Sequence, residues 1–157
     1  MKPNPRKALF RRDTRGAVLA EFVVAFVPLL TAFFAFVQLS KVATARLVVK
    51  HGAIIGARAA AVITNGNDNT PGQAAGKNDG EIKAAVEAGL GPWKSTMQSV
   101  TVDVADASSK ADPYGWVTVT VTATYKCTAP MGAIGCLGST KVLRESYRMP
   151  HQGANYK

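Results

Sequence analysis

The chain has 157 residues, 47% of them apolar and 18% charged, with a formal net charge of +9. Those values suit one ordinary domain with an appendage; they exclude a disordered tail, a polytopic membrane protein and a pair of large domains. Net basicity alone would suit a nucleic acid or an anionic surface, so where the charge sits decides between them. Residues 1–16 carry Lys2, Arg6, Lys7, Arg11, Arg12 and Arg15 against Asp13. Residues 17–64 carry Lys41, Arg46, Lys50 and Arg58 against Glu21. Residues 65–157 are nearly neutral, with nine basic and eight acidic groups. A near-neutral distal region lacks the footprint of a nucleic-acid binder, and no nucleic-acid partner is expected.

Four segments follow in order: a basic leader (1–16), an apolar span (17–40), a helical stalk (41–64) and an α+β head (65–157). From Ala17 to Leu39 one charged residue, Glu21, interrupts 23 positions. About 20 apolar residues suffice for a helix to cross the hydrocarbon core. The leader's basic residues favour the cytoplasmic side, so a single pass of the inner membrane is expected, with the C-terminus on the periplasmic side. A cleaved secretory signal is the alternative, with a small-x-small site at Ala43-Thr44-Ala45. Its apolar region would be longer than usual and would not call for an acid. An uncleaved membrane anchor carrying a binding module is the other alternative.

Glu21 needs a partner, because a carboxylate inside a bilayer helix costs about 2.5–3.5 kcal/mol on insertion scales. Cleavage after Gly16 would supply one. Ala17 would become the first residue, with a positive α-amino group, and Glu21 the fifth. Four helical residues separate amine and acid by about 6 Å along the axis. The acid can neutralise its own terminus or a neighbouring subunit's, and it lies where the helix dipole favours negative charge.

A basic leader, then Gly16, four residues, Glu21, aromatic Phe22 and a long apolar helix resembles the type IV prepilin pattern. More narrowly, Arg15-Gly16-Ala17-Val18-Leu19-Ala20-Glu21-Phe22, running on to Pro28-Leu29-Leu30, is similar to the TadE/TadF minor pseudopilins of tight-adherence (Flp) pilus systems. The resemblance covers roughly residues 11–60. It implies that a prepilin peptidase cuts between Gly16 and Ala17. It further implies that Glu21 serves processing and assembly, and that Phe22 stands where the major pilins carry tyrosine. Pro28 looks like the family's mid-helix proline, which would kink the helix by removing a backbone donor. The partners implied are the peptidase and other pilin or pseudopilin subunits, met through the N-terminal helix. Roles in cell adhesion, secretion and pilus assembly come with that resemblance.

Past the span, no breaker interrupts Val42 to Ala61. Small residues there (Ala45, Gly52, Ala53, Gly56, Ala57 and Ala60 among them) permit close packing, and the first helix should run from about 17 to 63. Arg46 and Lys50 share one face, His51 and Arg58 another. Residues 65–72 read as a polar loop; their Asx residues fit no cation-loop spacing. A short helix follows, with Asn78 and Glu81 placed as a capping box. Its apolar stripe is Ile82, Ala85, Val86, Gly89 and Leu90, and Gly91-Pro92 ends it.

Val100, Val102 and Val104 then alternate with polar or small residues. After the turn at Asp112-Pro113-Tyr114-Gly115, residues 116–125 alternate strictly, with Val117, Val119 and Val121 on one face. These two runs should pair as an antiparallel hairpin. A third strand over about 140–149, with Val142 and Tyr147, completes a small sheet and an α+β head. Cys127 and Cys136 enclose a ten-residue span; in an exported domain they are expected to form a disulfide. A metal site would need further ligands, and no metal or cofactor is expected. His51 and His151 stand apart, with no nucleophile–base pair or phosphate-gripping loop near them in sequence. The sequence therefore points to a structural subunit, not an enzyme.

Overall fold

The computed structural model describes residues 14–62, 65–66, 79–127, 136, 138–153 and 155–156. Asn78, most of the span between the cysteines and residues 1–13 lie outside these. Helix α1 spans Thr14–Val62, 49 residues without interruption. It begins three residues before Ala17, so the end of the leader is helical. Pro28 lies inside it, and the helix continues past that position. Pro28 cannot donate to the Val24 carbonyl. Three residues on, the Thr31 hydroxyl donates to the Val27 carbonyl at 2.8 Å.

The two halves of α1 differ in exposure. Residues 16–30 are exposed throughout. From Gln38 onward one face is buried: Gln38, Val42, Ala45, Val49, Gly52, Gly56 and then Ala60. Their spacing of three and four residues makes a continuous stripe. That stripe packs on helix α2 (Asp79–Leu90) and on strands of the sheet.

The two helices approach closely because glycines on each lie at their contact. A Cβ on Gly56 would lie 2.5 Å from Val86 Cγ2, and one on Gly89 would lie 2.7 Å from Ile55 Cδ1. Ile82, Val86 and Leu90 of α2 are fully buried, and Gly89 is partly so. Gly91, at φ 52°, ends α2 in a conformation that glycine adopts freely. A short 3-10 helix, Gly91–Thr96, leads into the sheet.

Strand β1 is the residue pair Asn65–Gly66. The main sheet comprises β2 (Met97–Asp106), β3 (Trp116–Lys126) and β4 (Thr140–Pro150), antiparallel in the order β2-β3-β4. Central β3 alternates as its sequence demands: Val117, Val119, Val121, Ala123 and Tyr125 are buried, and the threonines between them face outward. Val100, Val102 and Val104 of edge strand β2 are half-buried. In β4 the register places Leu143, Glu145, Tyr147 and Met149 on the inner face. Val142 instead lies on the outer face, 64% exposed.

Between β2 and β3 the chain reverses at Asp112–Gly115, where Gly115 N donates to the Asp112 carbonyl at 3.2 Å. A Cβ on Gly115 would sit 2.6 Å from the Ala107 carbonyl oxygen, so the turn admits only glycine without backbone movement. Strand β5 (Asn155–Tyr156) pairs parallel with β1. Gln152 N also donates to the Ala61 carbonyl at 2.9 Å, tying the C-terminal segment to the end of α1. The α+β architecture is thus a long helix crossed by a short helix and a three-stranded sheet.

Candidate functional site

The apolar half of α1 is the most unusual surface of the chain. Val18, Leu19, Phe22, Val24, Leu29, Phe33 and Phe36 each expose more than half of their surface. Such a continuous patch in water would be an association or aggregation site. The helix is long and apolar enough to cross a membrane, and a bilayer is the solvent in which this exposure is favourable.

Glu21 lies on that surface and makes no ion pair or side-chain hydrogen bond with any described residue. Phe22 stacks on Phe26, one turn on, with ring centroids 5.1 Å apart. Gly16 and Ala17 sit in the first turn of α1, on the exposed side of everything. A Cβ at Gly16 would meet nothing within 4 Å. Gly16, Ala17, Glu21, Phe22 and Pro28 therefore share one element, while the cysteines belong to another part of the molecule.

Cys127 and Cys136 are joined by a disulfide with Cα atoms 6.6 Å apart. It sits at the junction of span and head: Gln38 Nε2 donates to Cys136 Sγ at 3.5 Å. Gln38 is fully buried, and its Oε1 has no hydrogen-bond partner among the described residues. Sequence reasoning missed this position, since a glutamine next to Leu39 in an apolar run carries no sign of a contact 98 residues away.

His151 is 2% exposed, and its backbone N–H donates to the Gly115 carbonyl at 2.9 Å. Neither ring nitrogen has a partner among the described residues. His51 is exposed on α1. Among the described residues, no three His, Cys, Asp or Glu side chains converge as metal ligands would.

Two ion pairs among the described residues join elements of the head. Arg46 of α1 meets Glu145 of β4 at 2.5 Å, and Lys94 meets Glu87 of α2 at 2.5 Å. The hydrogen bond from Lys94 holds the Glu87 carboxyl below its ordinary range, with partial burial acting the other way and the charges of Lys94 and Lys83 adding to the lowering. Outside on the sheet, the Arg148 guanidinium lies 4.5 Å from the centre of the Trp116 ring, a cation–π contact.

The chain matches no protein-family model, no curated protein and no solved structure.

Proposed function

We propose that this chain is a non-catalytic, minor pilin-like subunit. A prepilin peptidase processes it after Gly16, and it takes part in assembling a tight-adherence-type pilus or secretion apparatus. The observation that carries the proposal is Glu21: the one charge between Ala17 and Leu39 in the exposed apolar half of α1, without a partner among the described residues. An unpaired acid in a bilayer is costly. A new terminus at Ala17, four residues away on the same helix, is the positive group that fits it. The leader stays on the cytoplasmic side of the inner membrane, and the head stands on the periplasmic side. The exposed face of the span, carrying Phe22 and the small residues Ala17, Ala20 and Ala25, then packs against other subunits' helices.

Co-expression with a prepilin peptidase tests this. Wild type should lose its first sixteen residues, Gly16→Ala should not be cut, and Glu21→Ala should fail to enter an assembly. If wild type stays whole beside an active peptidase, the chain is a plain membrane anchor for an extracytoplasmic binding module.

A further inference from the structure

The chain has a polarity that its near-neutral head charge conceals. β4 runs in the same direction as α1: Glu145 reaches Arg46, and Gln152 reaches Ala61. The start of β4 and the end of β3 therefore lie beside the top of the apolar span, together with the disulfide that contacts Gln38. That end carries Lys41, Lys126, Lys141 and Arg144, all exposed and none ion-paired among the described residues. The opposite end, where β2 gives way to β3, is mixed in charge: Asp103, Asp106 and Asp112 lie toward it together with Lys110 and Arg148.

Between α1 and β4 at the basic end lies a groove of about 420 Å³. Leu39, Val42 and Leu143 line its apolar side and Lys141 and the Glu145-paired Arg46 its inner rim; β4 is an edge strand, so Arg144 borders the groove from the strand's outer face. The groove continues the apolar surface of the span. Phe36, Leu39, Ala43 and Leu47, spaced three and four residues apart, form one exposed stripe that climbs past the rim. A ligand seated there meets hydrocarbon below and positive charge above.

We propose that this groove binds the headgroup of an anionic phospholipid from the leaflet on the head's side. Lys141, from the inner side of the β4 edge, and Arg144, from its outer side, hold the phosphate between them, and Leu39, Val42 and Leu143 pack against the start of the acyl chains. The proposal rests on the membrane-spanning reading of α1. Its geometric basis is continuity: Lys41 follows the last apolar residue of the span by about 3 Å along the axis and Arg46 by about 10 Å. That is the depth of lipid headgroups. The contact would fix the head's tilt on the membrane before assembly.

The test uses the full chain at low protein-to-lipid ratio, in vesicles of phosphatidylcholine alone or mixed with phosphatidylglycerol. Flotation reports insertion, and amine-labelling rates read by mass spectrometry report contact. With the anionic lipid, labelling of Lys141 should fall about fivefold, the scale one basic residue gains at an anionic surface. Lys110, exposed at the opposite end of the sheet, should label equally in both. Arg144→Gln should weaken the protection of Lys141. A chain that does not float overturns the span itself and the site with it. A chain that floats with Lys141 equally reactive in both lipids overturns the site alone. Protection that follows protein density and ignores lipid charge assigns the groove to a second copy, and overturns it too.

Discussion

Gly16 and Gly56 lie on the same helix in opposite surroundings, and the difference separates the proposed cleavage position from a packing position. Alanine is favoured over glycine in a helix by about 1 kcal/mol. At Gly16 the added methyl meets nothing within 4 Å, so Gly16→Ala should leave the head's melting temperature unchanged while abolishing cleavage. At Gly56 it meets Val86 at 2.5 Å and Val119 at 3.1 Å. Gly56→Ala should destabilise the head by about 1–3 kcal/mol, the usual range for overpacking, as read by thermal unfolding. Gln38 offers a third case. Its buried Oε1 lacks a partner among the described residues, and an unpaired polar group costs about 1–3 kcal/mol. Gln38→Met should leave the head as stable or make it more so; a clear loss would show that the amide is satisfied. Glu21 was legible in the sequence because one acid stands out in an apolar run. Gln38 and His151 were not, because what buries them is distant in the chain.

Periodicity made the larger elements readable. β3 alternates because every second residue faces α1, and the stripe of α2 repeats because one side faces Gly52 and Gly56. Interactions that depend on a few residues left no such trace. The β1–β5 pair is two residues long on each side, too short for any pattern. Val142 belongs to the expected third strand, and only the register with β3 shows that it faces outward. The third strand's inner face is set by Leu143 and Met149. The disulfide should contribute about 2.5–3 kcal/mol by closing a ten-residue loop, and Cys127→Ser with Cys136→Ser should lower unfolding midpoints accordingly. The Glu87–Lys94 pair links α2 to the 3-10 helix that follows it. Because Lys94 lowers the Glu87 pKa, the pair's contribution is present above the ordinary carboxylate value and lost as pH falls through the folded one. Wild type should therefore exceed Glu87→Gln in stability at neutral pH, and the gap should close in acid.

At the scale of the whole molecule, one helix serves two solvents. Its first half exposes apolar side chains that suit a bilayer, and its second half supplies the buried stripe on which the head is built. The head cannot be detached at Leu39 without cutting the helix that carries Val42, Ala45 and Val49 of its own core. The arrangement accounts for an acid at position 21 if trimming the leader gives that acid a positive terminus. The direct measurement is the intact mass of the chain extracted from the membranes of cells that make a prepilin peptidase. A polypeptide starting at Ala17 is the predicted result. One that still starts at Met1, and assembles no differently when Glu21 is made alanine, would contradict the account.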